Sequence, residues 1–256
     1  MIDQEKLDAI LEMVYSTGAV KTTAVAQTLK ITTPTARKYL DYLASHTEQI
    51  ERVHGGAAII ATKQPPAESE TPYQARSKIH RAEKEEIANK ALALLKDRDT
   101  IVLDSSSTCF TLAKQLINSP LHLTVITNGI STAQVLARNA NITVIVISGV
   151  LAKSSNTIID EFNCDIIDRF NIDKAFFSAS CVSFQDGFSE YNLRELDKKR
   201  RYIDRAALSI ALIDSSKVEQ RTSSSFAKLS DIDLFITDSG FDETLKRRYQ
   251  TEITVK

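Results

Sequence analysis

Residues Thr22 to Ala57 read TTAVAQTLKITTPTARKYLDYLASHTEQIERVHGGA, and this stretch decides how the chain begins to fold. Either Thr32 or Thr33 can offer a hydroxyl to the free amides at a helix start, and Pro34 falls in the first turn, where its missing N–H costs nothing. A helix is therefore predicted from that point. At about 100° per residue, Ala36, Leu40 and Leu43 return to one side with Tyr39 at its edge, while Thr33, Pro34, Arg37, Lys38 and Asp41 gather opposite. One face packs and the other is free to meet a ligand. Leu7, Ile10, Leu11 and Val14 repeat at the same spacing upstream, and Val25 and Leu29 continue it across a short helix starting near Thr22. Three small helices can thus share one core.

Downstream, Gln49–Val53 and Ala57–Ile60 read as two strands joined at His54-Gly55-Gly56, because paired glycines permit the positive φ of a tight hairpin. His54 is read as a turn residue. The whole segment predicts a winged helix-turn-helix, an arrangement that lays its third helix in a DNA groove and sets Arg52 to reach phosphate or the minor groove. Residues 1 to 60 hold six Lys or Arg against seven acids, so the domain is not a basic block. Between Val20 and Leu40, however, there are four basic residues and no acid, which concentrates positive field on the two helices that would face phosphates. The bland alternative is a solvated helix face in an ordinary helical domain. Candidate DNA-contacting residues are Thr22, Thr23, Thr33, Pro34, Thr35, Arg37, Lys38 and Arg52.

The chain has 256 residues, 43% hydrophobic and 25% charged, enough for one small and one medium domain. Its first twenty residues carry Asp3, Glu5, Lys6, Asp8 and Glu12, and no apolar run approaches the roughly 20 residues that span a bilayer. A cytoplasmic protein without membrane partners is expected. Cys109, Cys164 and Cys181 lack metal-ligand spacing and are assigned no chemistry; no metal or cofactor is expected. Residues 61–74, ATKQPPAESETPYQ, contain three of the five prolines and no apolar periodicity, so they read as a linker between residues 1–60 and 75–256. Ile87, Ala91, Leu94 and Leu95 then give helical periodicity between His80 and Lys96.

From Thr100 onward, short apolar runs alternate with helical patterns. IVLD, LTVIT, ITVIVIS, KAFFSAS, LSIALID and LFITD are six candidate strands, apolar on both faces, as a mainly parallel sheet covered by helices requires. Most end in polar residues, among them Asp104 with Ser105, Ser106, Ser107 and Thr108, then Thr127-Asn128, Ser148-Gly149 and Asp214 to Lys217. Ligands of open α/β sheets bind at the carboxyl ends of the strands. The hydroxyls and first amides of a helix running from about Ser105 to Asn118 suit an anion, and Lys199 would add positive charge. The plain alternative is that these hydroxyls only cap the helix and that Asp104, Asp214 and Lys217 form structural pairs.

Taken together, ITTPTARKYLDYL, Arg52-Val53-His54-Gly55-Gly56-Ala57 and the later motifs resemble the DeoR family of bacterial transcriptional repressors, from Leu7 to Asp238. Arg76, Lys84, Ile87 and Ala88 match the family's spacing where its effector domain starts. The resemblance implies an α/β effector domain similar to ribose-phosphate isomerases that binds a sugar phosphate. It further implies release from a double-stranded operator and a homodimer or homotetramer. By that resemblance, Asp104, Ser105, Ser106, Ser107, Thr108, Thr127, Asn128, Gly149 and Lys199 are the effector-site candidates. The family usually has a second arginine and an aspartate where this chain has Lys38 and Tyr39. Ser106, Ser148 and Asp160 stand where its pattern has glycine. Strain at such a position costs on the order of 1 to 3 kcal/mol unless the loop changes shape, and an acid at 160 would repel a phosphate. Three outcomes stay open: that acid turns away, the effector differs, or sensing is lost.

A second class of reading is an isomerase-like or hydrolase-like enzyme with Asp104 or Asp214 as general base and a helical appendage. No histidine lies among the strand-end motifs, which favours the regulator. A bare nucleic-acid structural protein fits poorly with a sequence pI near 6.4.

Overall fold

The computed structural model describes residues 3–17, 19–46, 50–59, 73–152, 156–159 and 166–256. Residues 61–72 of the expected linker 61–74, with Gln49, Ile60, Asp160 and Cys164, lie outside the described residues, and its last two residues, Tyr73 and Gln74, are helical. The chain divides into two compact units, Met1–Ile79 and His80–Lys256.

In the first unit, α1 (Gln4–Thr17), α2 (Thr22–Thr28) and α3 (Thr33–His46) enclose one core of Leu7, Ile10, Val14, Val25, Ala36, Leu40 and Leu43. Three strands complete it: β1 (Ala19–Lys21), β2 (Ile50–Val53) and β3 (Gly56–Ile59), antiparallel in the order β1-β3-β2. The turn after α2 closes through Ile31 N–H to Ala26 O at 2.9 Å, with Lys30 in the left-handed region at φ 52°. Thr32 is the residue that caps α3, its Oγ1 accepting from Thr35 N at 3.4 Å.

The two wing glycines do different work. Gly55 sits at φ +82° in the hairpin turn, and its carbonyl accepts from Thr22 N at 2.8 Å. Gly56 instead allows close approach: a Cβ there would lie 2.0 Å from Val20 O, so only glycine lets β3 pair with β1. The expected two-strand wing is thus a three-stranded sheet, whose first strand has only three residues and no periodicity to announce it. A single helical turn, α4 (Tyr73–Arg76), belongs to the same unit.

The second unit opens with α5 (Arg81–Leu92). Thereafter come β4 (Thr100–Leu103), α6 (Ser107–Gln115), β5 (Leu123–Thr127), α7 (Ile130–Leu136), β6 (Ile142–Val146), β7 (Val150–Leu151), β8 (Ile158–Ile159) and β9 (Ile172–Phe177). The chain continues with β10 (Cys181–Ser183), β11 (Gly187–Glu190), α8 (Leu193–Arg205), β12 (Ala206–Leu212), β13 (Ser224–Ala227), β14 (Leu234–Ile236), α9 (Glu243–Tyr249) and β15 (Thr254–Val255).

Seven strands form one parallel sheet in the order β15-β14-β12-β9-β4-β5-β6. All six expected strands are in it, with β15 added at one edge. Side chains alternate across the sheet: Ile101 and Leu103 of β4 join Ile87 and Ala91 of α5 and Leu112 of α6, while Val102 joins Tyr202 of α8 on the other face. The chain enters the sheet at β4 and proceeds outward to β5 and β6, then returns to β9 beside β4 and proceeds the other way. The boundary between β4 and β9 is therefore the topological switch point, where open α/β sheets generally bind ligands at the carboxyl ends.

Candidate functional site: an exposed helix face and a polar rim

The sequence of α3 sorts its side chains cleanly. Ala36, Tyr39, Leu40 and Leu43 are buried, and Thr33, Pro34, Arg37 and Lys38 are exposed, with Thr35 half-buried. The Tyr39 hydroxyl accepts from Asp3 N at 3.1 Å, tying α3 to the start of α1. Among the described residues, neither Arg37 nor Lys38 forms an ion pair, so both charges face outward. Thr23 is exposed at the start of α2. Thr35 shares its hydroxyl with Thr32 Oγ1 at 2.8 Å within the cap.

Two sequence expectations need correction here. Thr22 is buried, and its amide is used by Gly55 O, so it offers neither hydroxyl nor N–H to a groove. Arg52 is not free on the wing: its Nε pairs with Asp41 Oδ1 of α3 at 2.8 Å, and its Nη1 donates to Gly56 O. It braces the wing against α3 instead of reaching out, because Asp41 stands one turn beyond Arg37 and within its grasp.

At the rim of the parallel sheet, the loop after β4 is held by its own side chains. Asp104 Oδ1 accepts from Ser106 N at 2.9 Å and Oδ2 from Ser178 N at 2.9 Å, spanning the switch point. Ser106 caps α6 by accepting from Cys109 N at 3.2 Å. Its φ of −67° and ψ of 156° are ordinary for any L-residue. The strain expected from serine replacing glycine is therefore absent; the loop uses the side chain as a cap. Ser105 Oγ accepts from Asn128 Nδ2 at 3.3 Å and from Thr157 Oγ1 at 2.8 Å, and Thr127 Oγ1 accepts from Gly129 N at 3.0 Å.

Not all of this polarity is consumed. Thr108 Oγ1, Asn128 Oδ1 and Thr132 Oγ1 are buried and have no hydrogen-bond partner among the described residues. Such atoms are costly to leave unmatched and are where a ligand's donors or acceptors belong. The structure brings together Asp104, Ser105, Ser106, Ser107, Thr108, Thr127 and Asn128 at the ends of adjacent strands β4 and β5. Gly149 differs from them in being exposed, two residues after Ile147, whose N–H donates to Thr127 O at 2.9 Å.

Lys199 lies beside the switch point but is not a spare cation. Only 4% exposed, it donates to Ser178 O at 2.6 Å, contacts Glu190 directly, and lies 3.6 Å from Asp104 and 3.8 Å from Glu195. Burial alone would depress its pKa, but Glu190, Asp104 and Glu195 outweigh that and hold the ammonium well above its usual range. One cation thus faces three carboxylates. The sequence points to Lys199 but less clearly to its partners. Glu195 stands at i−4 on the same helix, a readable signal; Glu190 gave none.

A second cluster lies at the ends of β12 and β14. Asp214 is fully buried, accepts from Ser216 Oγ, and has Lys217 Nζ 3.9 Å away. Burial would raise its pKa, yet Lys217, Ser216, Lys84 and His80 together bring it below the ordinary carboxylate range. Cys109 is buried beside Asp104, and both effects push its thiol well up, so it is no nucleophile. Among the described residues, no group of three His, Cys, Asp or Glu is arranged to hold a metal ion, and no helix is long and apolar enough to cross a membrane.

A family model described as the DeoR-like helix-turn-helix domain matches residues 6–63, and one described as the DeoR C terminal sensor domain matches residues 79–239. The HTH-type transcriptional regulator GolR of Listeria innocua is 31% identical over 250 residues, covering 98% of this chain and 96% of that protein. The HTH-type transcriptional repressor GlcR of Bacillus subtilis is 31% identical over 93% of this chain and 89% of its own. Among solved structures, a ribose 5-phosphate isomerase from Methanocaldococcus jannaschii aligns at 19% identity and a TM-score of 0.39, over 53% of each chain. This chain therefore spans about half the length of that enzyme.

Proposed function

Because the chain belongs to the DeoR family of transcriptional regulators, we propose that it represses genes of carbohydrate metabolism by binding an operator through α3 and responds to a phosphorylated sugar at the rim of its parallel sheet. The observation that carries the DNA half is the outward face of α3: Thr33, Pro34, Arg37 and Lys38 exposed, with the apolar side of the same helix buried. Arg37 is suited to a base edge and Lys38 to a phosphate. Two-fold operators call for paired winged helices, hence a homodimer or homotetramer working in the cytoplasm.

The effector half is supported by the unmatched Thr108, Asn128 and Thr132 oxygens and by the start of α6, whose Ser107 and Thr108 amides have no partner among the described residues. The three carboxylates around Lys199 suit sugar hydroxyls better than a phosphate, so the anionic end of the ligand belongs at α6 and the polyol end towards Lys199. An enzyme reading is less well supported. Both oxygens of Asp104 are engaged by backbone amides, and Asp214 is held ionised with a lowered pKa, which suits neither as a proton acceptor poised near neutrality.

Selection of bound duplexes from a randomised library, followed by titration with wild type and Arg37→Ala, tests the DNA reading. Enrichment of a two-fold motif whose preference relaxes by roughly 1–3 kcal/mol in Arg37→Ala is expected; no enrichment would overturn it. A thermal-shift panel of pentose and hexose phosphates tests the sensor. Stabilisation by at least one is expected, and none in the panel would point to a silent domain.

A further inference from the structure

The seven-stranded sheet treats its two edges differently. One edge is β15, only two residues long and followed at once by Lys256; very short strands and lysines are the usual means of keeping a sheet edge from recruiting another chain. The opposite edge, β6, has five residues and carries none of these safeguards. The ten residues Ile142 to Leu151, ITVIVISGVL, contain no charge and no proline.

That stretch is also where apolar surface is left in water. Of the large hydrophobic side chains exposed among the described residues, Val146 at 40%, Val150 at 45% and Leu151 at 58% fall within six positions of one another. Scattered exposed apolar residues are ordinary, whereas a cluster on an unguarded edge marks an interaction surface.

We propose that the outer edge of β6 and the exposed side of β7 form a docking surface for a second copy of this chain, joined sheet edge to sheet edge about a two-fold axis. Three features favour a copy over a different partner. Two identical edges related by a two-fold run antiparallel, so the N–H and C=O groups of one are answered by the other without a new surface. A stretch lacking charge strands no ion when packed against itself, while a charged partner segment would find nothing to pair with. Finally, this inference rests on the regulator reading for its purpose: two recognition helices must be presented together.

The surface also adjoins the rim. β7 pairs antiparallel with β8 (Val150 with Ile159, Leu151 with Ile158), and Ile158 N donates to Asn128 O at 2.8 Å while its carbonyl accepts from Lys198 at 2.7 Å. Thr157, next to β8, donates to Ser105. The hairpin thus presents Thr157 to the polar cluster and Val150 and Leu151 to a docked copy.

Sedimentation velocity of the full chain, without DNA or sugar phosphate, across the micromolar range tests this directly. Failure of the DNA or effector reading would leave the measurement unaffected. Wild type is expected to sediment as a dimer or larger, and Val150→Asp/Leu151→Asp to weaken association by roughly 30-fold or more, the effect of disrupting the centre of an interface. Val146→Lys is an independent probe of the same surface, and both variants should keep the wild-type circular dichroism because the substituted side chains are solvent-exposed. Leu193→Asp, equally exposed on α8, should associate as wild type does. A monomeric wild type throughout the range, undiminished association in both probe variants, or loss of association in Leu193→Asp would overturn the assignment.

Discussion

Lys199→Ala should cost far more than the removal of one ligand-binding group. The ammonium is 4% exposed, touches Glu190, lies 3.6 Å from Asp104 and 3.8 Å from Glu195, and satisfies Ser178 O at 2.6 Å. Removing it takes away the cation that faces all three carboxylates in one buried pocket. Breaking a buried pair from one side costs roughly 3–5 kcal/mol, and the orphaned carbonyl adds about 1 kcal/mol. Proton uptake by one carboxyl would relieve part of this, so about 4 kcal/mol is expected. For a unit of this size, each kcal/mol moves the midpoint by roughly 2–4 °C, which gives a drop on the order of 10–15 °C. The sequence has no tryptophan, so far-UV circular dichroism is the suitable signal. Glu190→Gln should lose less, because it removes one of three mutually repelling acids and keeps the cation. Since the folded pKa of Lys199 is raised, its contribution is complete below the unfolded value of about 10.4 and is lost only as pH rises through the folded value. A loss under about 1 kcal/mol, typical of an exposed pair, would refute the reasoning. It follows that Lys199→Ala is a poor control in a ligand screen, since it perturbs the fold as well as the site.

Other expectations are narrower. Arg52→Ala should lower stability of the first unit by roughly 1–2 kcal/mol through its bonds to Asp41 and Gly56, with the salt slope of DNA binding unchanged; a slope reduced by about one would mean that Arg52 reaches phosphate after all. Ser106→Ala should cost about 1 kcal/mol and Ser106→Gly a few tenths, measured by urea unfolding, whereas a stabilising glycine would reveal strain that its backbone angles do not display. Asp214→Asn should destabilise at neutral pH. Because the folded pKa of Asp214 is lowered, its stabilisation is complete above the unfolded value of roughly 3.9 and fades as pH falls through the folded one. Urea melts of the two proteins should therefore converge in acid, and a gap independent of pH would contradict the assigned cause.

Much of this architecture was legible because periodicity records burial. Ala36, Leu40 and Leu43 repeat at helical spacing and are buried, and six apolar runs mark six parallel strands, since strands covered on both faces must be apolar throughout. What stayed hidden is short or long-range. β1 has three residues and is betrayed only by the need for Gly56 to lie against Val20. β10, β11 and β13 carry the polar residues of loops. The acids around Lys199 come from different elements, and Thr157 meets Ser105 from 52 positions away, a pairing that no local pattern encodes. Ser106 misled for a different reason: a glycine replaced in a loop reads as strain, yet the serine found a use as a helix cap.

The Arg37 and Lys38 side of α3 is expected to meet duplex DNA, which the salt dependence of binding by the full chain, read as anisotropy of a labelled duplex, would reveal. Wild type should bind at low ionic strength, and Arg37→Ala/Lys38→Ala should bind more weakly, its log–log salt slope shallower by about one for every phosphate that the missing cations had neutralised. Equal affinity and slope for the two proteins, or a wild type that ignores duplexes at low ionic strength with and without sugar phosphates, would contradict it.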